Sequence, residues 1–275
     1  MNRIEALVLG LVQGLTEFLP VSSSGHLVLC QHLFGLVEPE LLFDICLHVG
    51  TLLAVVVVFY KDLLGLLQTL GRLPALVRSA GGIGSLFERN TDFRLLVMIV
   101  MGSFPTAVLG LVFASLARQL FSTIWLVGAA LLISGTCLWL TRHRKTAGRD
   151  IRQMRLRDAF FIGLVQGLAI IPGISRSGTT IAAALYLGVE RELAARFSFL
   201  LAIPAILGAL VIGLDGLAFR GTLPADTIVI GSLVAAVAGY TALVILLKIV
   251  KQGQLHRFAP YCWVVGALAL IVSTA

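Results

Sequence analysis

Charge is scarce in this chain: 13% of its 275 residues are Asp, Glu, Lys or Arg, against 58% that are hydrophobic. Soluble domains carry roughly a quarter charged residues, so a single water-facing globule is excluded, because one soluble core could not use so much apolar surface. Cysteine chemistry is also missing. Cys30, Cys46, Cys137 and Cys262 are scattered through apolar segments without a CxxC pair or metal-type spacing, and they read as small packing residues. Residues 1–19 lack a basic stretch followed by a small-residue cleavage site and carry Glu5 and Glu17, so this segment is expected to remain in the mature protein. No glycine pattern of the dinucleotide-binding or P-loop type occurs, since the glycine-rich stretches open into helices instead of following strands.

What is present is a series of uncharged runs. Residues 95–117, 119–141, 197–214, 227–247 and 258–275 contain no charge, and 41–60 contains only Asp44. Each approaches or exceeds the ~18 to 20 residues that cross a bilayer as helix. The expected fold is an all-α polytopic membrane protein. The net charge of +7 reflects topology and not nucleic acid. Lys and Arg collect in the connections 61–94, 142–157, 190–196 and 248–257, whereas 36–44 has Glu38, Glu40 and Asp44 with no base and 215–226 has only Arg220. Positive connections stay cytoplasmic, which puts the acidic connections and both termini outside.

That assignment leaves 1–36 and 158–189 to enter and leave the membrane on one side each. Both consist of two short apolar arms around a Pro/Gly/Ser break, and read as re-entrant helical hairpins. Irregular backbone at membrane depth is tolerated only inside protein or against a water-filled cavity. The hairpins are also copies. GLVQGLTEFLPVSSSGHL (10–27) set over GLVQGLAIIPGISRSGTT (163–180) without a gap gives nine identities in eighteen positions, including Ser22 with Ser175, Ser24 with Ser177 and Gly25 with Gly178. Three spans follow each copy, so the second must enter with opposite orientation. The expected organisation is an inverted-topology repeat with six transmembrane helices plus two hairpins: a first repeat at 1–141, a basic cytoplasmic linker at 142–157 and a second repeat at 158–275. Such repeats build their sites where broken helices meet near the midplane.

The breaks carry the chemistry. Gln13 and Glu17 are four apart and share a helix face. An ionised residue there costs on the order of 2.5 to 3.5 kcal/mol to insert, so Glu17 is expected to have a function. Ser22, Ser23 and Ser24 precede the next helix, where hydroxyls, Gly25 and free N–H groups suit an anion. His26, at the start of that helix, could act as nucleophile or proton shuttle. Arg176, the only Lys or Arg in either copy, sits between Ser175 and Ser177 with Thr179 and Thr180 beyond, and a guanidinium in a dry site binds phosphate oxygens in pairs. Joined, these groups suit a phosphate-like headgroup held in a membrane. For each there is a plainer role: Glu17 and Arg176 as a structural pair, the serines as caps for broken backbone, His26 as packing. His48, inside a span, reads as an interhelical hydrogen-bonding residue.

At Gln13–His26, (E/Q)GLTEFLPVSSxGH, and Pro172–Gly178, PGxSRSG, the chain resembles the undecaprenyl-diphosphate phosphatases, also called bacitracin resistance proteins. Length and order of spans agree throughout. The resemblance implies an integral membrane hydrolase that converts undecaprenyl diphosphate to the monophosphate carrier of peptidoglycan synthesis, in a bacterial inner membrane; the acidic connections and the direction of the first hairpin, which enters from outside, put the pocket on the outer face. Carried over, catalysis falls on Glu17, Ser23, His26 and Arg176, and substrate binding on Gln13, Ser22, Ser24, Gly25, Ser175, Ser177 and Thr180. A divalent cation, Mg²⁺ or Ca²⁺, would be held by Glu17 with Gln13. Many members have glutamate at the position of Gln13; the family pattern allows either residue, and this chain offers one carboxylate and one amide there. Ser23 is the favoured nucleophile, activated by His26 or Glu17, and sequence does not order them. The partners implied are a polyprenyl diphosphate and the bilayer, and a homodimer is left open. Two other functions fit parts of the pattern: a lipid-phosphate transporter or flippase, and a type 2 phosphatidate phosphatase. The last would need a histidine six residues after Arg176, where Ala182 stands.

Overall fold

The computed structural model describes residues 1–35, 41–121, 123–144, 148–216 and 224–274. Glu38, Glu40 and Arg220 of the acidic connections lie outside them. The elements in order are α1 (Arg3–Phe18), α2 (Ser23–Leu33), α3 (Leu41–Val58), α4 (Tyr60–Gly71), α5 (Leu73–Ala80), α6 (Ile83–Arg89), α7 (Thr91–Ala114), α8 (Ala117–Phe121), α9 (Ile124–Leu140), α10 (Leu156–Leu168), α11 (Arg176–Tyr186), α12 (Arg191–Gly216), α13 (Ala225–Lys251) and α14 (Ala259–Thr274). Among the described residues the only β pairing is an isolated bridge between Arg149 and Val189.

All six expected spans fall on helices. Five lie on α7, α9, α12, α13 and α14, and the sixth is α3, from which α4 turns away by 83°. Large apolar side chains stay exposed along the outer faces, for example Val100, Phe104, Val108 and Leu111 of α7 and Leu233, Val237 and Tyr240 of α13. Their three- and four-residue spacing marks one helical stripe, and a protein in water would not leave such stripes uncovered. The chain is a multi-pass, all-α membrane protein.

The hairpin arms are shorter. α2 and α11 have 11 residues each, about 16 Å of helix, roughly half of the ~30 Å hydrocarbon layer. Local sequence sets their ends. Asn2 caps α1, its side chain accepting from the N–H groups of Ile4 and Glu5 at 2.9 Å while Glu5 returns a carboxylate to the Asn2 N–H at 2.7 Å, a reciprocal cap. The helix stops at Leu19, extended at ψ 139°, as a residue before proline prefers. Ser22 and Ser175 cap α2 and α11, each accepting from the N–H three residues on, Gly25 at 3.3 Å and Gly178 at 3.1 Å.

Packing is reciprocal: α1 lies on α13 and α10 on α7, while α3 also packs on α13 and α9 on α14. The repeated glycines make the first two contacts. Gly10 meets Gly231 and Gly163 meets Gly102, backbone against backbone, the close approach that small residues permit in membranes. A second repeat appears here, GSFPTAVLG (102–110) against GSLVAAVAG (231–239), five of nine identical. An ungapped register misses it because α4–α6 are inserted in the first half. A Cβ at Gly163 would fall well inside contact with the Gly102 carbonyl, whereas at Gly110 the nearest atom is 3.8 Å away. Gly163→Ala should therefore lower stability by about 1–3 kcal/mol. A thermal melt in detergent should show it, with Gly110→Ala as a control that leaves the melt unchanged or raises it.

Arginines hold the linker in place. The backbone of Arg149 pairs with Gly188 and Glu190 (2.8 and 3.1 Å) and its side chain reaches Asp158 at 2.7 Å. Arg94 donates to the carbonyls of Ile151 and Met154, both at 2.7 Å.

Candidate active site between the two breaks

The two Pro/Gly/Ser breaks touch. Ser22 Oγ, besides capping its own helix, accepts from Gly173 N–H of the second hairpin at 3.1 Å. Gly178 faces Pro20, and Gly25 faces Gly173, so closely that an added Cβ would stand 2.9 and 3.1 Å from them. Ser134 of α9 clamps the second break, accepting from Ser175 N–H and donating to the Gly173 carbonyl, both at 3.0 Å. Two helix N-termini, α2 and α11, are thus brought to one place. Ser23 and Arg176, aligned positions of the repeat, are the first residues of those helices.

Glu17 is the centre. It is 5% exposed and Gln13 is fully buried, both on the α1 face that carries Gly10 and Gly14, opposite the lipid-facing Leu7, Leu11 and Leu15. Glu17 Oε2 accepts from Ser23 Oγ at 2.6 Å and Gln13 Nε2 at 2.9 Å, and His48 Nε2 stands 3.4 Å away. Glu17 Oε1 pairs with Arg176 Nη2, 159 residues distant in the chain. A buried carboxylate is tolerated when so many donors and a cation surround it.

Of the residues expected at the site, Gln13, Glu17, Ser23 and Arg176 form one group. Ser22 and Ser175 cap, and the Thr180 hydroxyl donates to the Arg176 carbonyl at 2.7 Å, holding the turn that carries the guanidinium. Ser24 and Ser177 stand beside the caps, Oγ to Oγ at 3.3 and 3.5 Å. Gly25 supplies a cap N–H and the close approach to Gly173. His26 is turned elsewhere: its Nδ1 lies 2.8 Å from the Ser22 carbonyl and its Nε2 2.8 Å from the Tyr261 hydroxyl of α14. Of the two candidate activators of Ser23, the hydrogen bond goes to Glu17.

His48, read from sequence as an interhelical hydrogen-bonding residue, reaches the site itself. Its Nδ1 is held at 2.7 Å by the Asp44 carbonyl, and Asp44 in turn accepts from Gln31 of α2 at 2.7 Å. Nothing local marks it, because only the packing of α3 beside α1 brings it to Glu17. The second half has no matching acid: Gln166, the copy of Gln13, bonds to Thr106 and the Leu201 carbonyl (3.3 and 3.1 Å), and Ile170 stands where the first copy has Glu17.

No group of three or more His, Cys, Asp or Glu able to hold a metal exists among the described residues. The corner still suits a hard cation. Gln13 Oε1 is buried without a hydrogen-bond partner next to the Glu17 carboxylate, and Mg²⁺ is often held by one or two carboxylates with substrate phosphates and water completing its shell.

Comparison with known proteins gives the chain a family. The chain is 50% identical over 272 residues, 98% of both chains, to a protein of Desulforapulum autotrophicum named undecaprenyl-diphosphatase. It is 53% identical over 272 residues, 98% of both, to one so named in Desulfosudis oleivorans. A third, from Methanobrevibacter smithii, shares 39% over 279 residues, 99% of this chain and 98% of that one. The family model described as bacitracin resistance protein BacA matches residues 6–268. With a match across nearly its whole length and these identities, the chain belongs to the bacitracin resistance protein BacA family.

Proposed function

We propose that this protein is a membrane phosphatase that hydrolyses undecaprenyl diphosphate to undecaprenyl phosphate and inorganic phosphate, returning the lipid carrier to peptidoglycan synthesis and thereby conferring bacitracin resistance. One observation carries the reading: Arg176 of one hairpin closes on Glu17 of the other, and the same carboxylate holds the hydroxyl of Ser23. A cation, a base and a nucleophile are gathered at two helix N-termini inside an apolar protein. Breaking a phosphoanhydride needs charge neutralisation and in-line positioning above all.

The steps follow from the contacts. The terminal phosphate displaces Glu17 from Arg176, whose fork takes two of its oxygens, while the N–H groups opening α2 and α11 face the same charge. Glu17 accepts the Ser23 proton as Ser23 Oγ attacks the terminal phosphorus. The bond from that phosphorus to the bridging oxygen breaks, and the lipid monophosphate leaves with the proton that Glu17 took from Ser23. Water then attacks the phosphoserine, Glu17 taking its proton and passing it to Ser23 Oγ as phosphate is released. A divalent cation, Mg²⁺ or Ca²⁺, held by Glu17 and Gln13 Oε1 would supply further charge neutralisation. The reciprocal packing of α1 on α13 and α10 on α7 supports two inverted halves at 1–141 and 158–275 joined by the linker 142–157. The basic connections on one side support an inner-membrane protein whose site opens to the outer face.

Phosphate release by purified protein in detergent tests this directly, since detergent has no compartments and transport cannot contribute. Phosphate should appear from C55 and C15 prenyl diphosphates, fall sharply with chelator and return with Mg²⁺. In sealed vesicles, substrate added to the outer face should be the one consumed. Absence of phosphate release from every prenyl diphosphate would reject the reading, and chelator-insensitive release would reject the cation alone.

A further inference from the structure

We propose that Tyr261, on the last helix, is a positioning residue for the reaction, acting through His26 on the peptide that aims Ser23. Ser22 is the only non-glycine among the described residues with a positive φ, 68°, a conformation that persists only when its surroundings hold it. It is the last residue before Ser23, so its torsions set where the Ser23 hydroxyl points. Its side chain is tied at both sides, to Gly25 and Gly173. Its carbonyl is tied by His26, through the backbone N–H at 3.2 Å and ring Nδ1 at 2.8 Å.

The second hairpin shows what that ring contact is for. Thr179, aligned with His26, sends its hydroxyl to the Ser175 carbonyl at 2.7 Å, so in both copies the residue four beyond the cap locks the cap carbonyl. A threonine needs no help to do this. An imidazole has a second nitrogen, and which one carries the proton depends on the bond the other makes. A carbonyl oxygen can only accept, so the Ser22 bond requires Nδ1–H, which in the neutral ring leaves Nε2 as an acceptor. Tyr261 Oη lies 2.8 Å from Nε2 and donates to it, selecting the tautomer that locks Ser22. The two rings are also stacked, centroids 5.7 Å apart and 7° from parallel. Neighbouring Cys262, packed 3.5 Å from the Pro20 carbonyl, seats this part of α14 on the first break.

The consequence for turnover rests on the assignment of Ser23 and Glu17 above, whereas the hydrogen bonding does not. Tyr261→Phe keeps the stacked ring and loses only the hydroxyl. It should lower kcat by about tenfold, the worth of one hydrogen bond, with KM unchanged, because the hydroxyl does not touch substrate. Histidine ¹⁵N spectra of the full-length protein in detergent should show His26 protonated at Nδ1 alone, and a tautomer mixture in Tyr261→Phe. His26→Thr, which copies the second hairpin's lock, should keep measurable turnover, and adding Tyr261→Phe to it should change nothing further. A wild-type kcat in Tyr261→Phe, an Nε2-protonated His26 in the parent protein, or independent multiplication of the two effects would each overturn the proposal. If the parent protein releases no phosphate, the phosphatase reading falls while the spectra still decide the Tyr261 assignment.

Discussion

Replacing Arg176 by lysine is expected to abolish most turnover although the charge is kept. A guanidinium presents two parallel N–H donors to two oxygens of one phosphate, whereas an ammonium offers a point charge on a flexible stem. Arginines that stabilise phosphoryl transfer contribute roughly 10³ to 10⁵ in rate, so Arg176→Ala should approach that loss in kcat/KM, and Arg176→Lys should recover only a small part. In the free protein Arg176 pairs with Glu17, and its removal leaves a buried carboxylate without its cation, so both variants need a fold control. Gel filtration and thermal unfolding in detergent provide one. The comparison between lysine and alanine is informative even if both melt lower, because both lack the Arg176–Glu17 geometry. Turnover near the parent level in Arg176→Lys would remove the clamp from the mechanism.

Ser23→Ala should be at least as damaging. Deleting a nucleophile held by its base costs roughly 10⁴-fold or more. The variant is expected to fold, because Glu17 Oε2 retains the Gln13 donor at 2.9 Å and Oε1 retains Arg176. A covalent route makes a sharper forecast. Substrate labelled in its terminal phosphate, quenched with acid after a single turnover, should leave label on Ser23 and on no other residue. Label on His26 would exchange the roles assigned here. Its contacts argue against that outcome, since Nδ1 is occupied by the Ser22 carbonyl and Nε2 by Tyr261.

Much of the molecule was legible in the chain. Long uncharged runs are local information, and α7, α9, α12, α13 and α14 lie where the runs lie. The breaks at Pro20 and Pro172 end α1 and follow α10 for reasons local to proline, glycine and serine, and the ungapped match of 10–27 with 163–180 marked the two segments that meet. Gln13 and Glu17 could be placed on one face because i and i+4 are neighbours on any helix. The spans also hid things: His48 looks like any polar residue in a helix, Tyr261 like any aromatic in the last span, and the GSxxxAVxG copies at 102 and 231 sit at a different spacing from the first repeat.

By itself the amino-acid sequence determined the membrane class, the positions of the spans, the duplicated hairpins and the list of reactive side chains, because hydrophobicity and helix periodicity act over a few residues at a time. Only the tertiary structure decided how those side chains are paired. That Ser23 turns to Glu17 and His26 to Tyr261, and that His48 joins the carboxylate, depends on which helix faces which. Those faces are set by glycines such as Gly10 on Gly231 and Gly163 on Gly102, contacts between distant parts of the chain whose closeness follows from packing of backbones and from no local pattern.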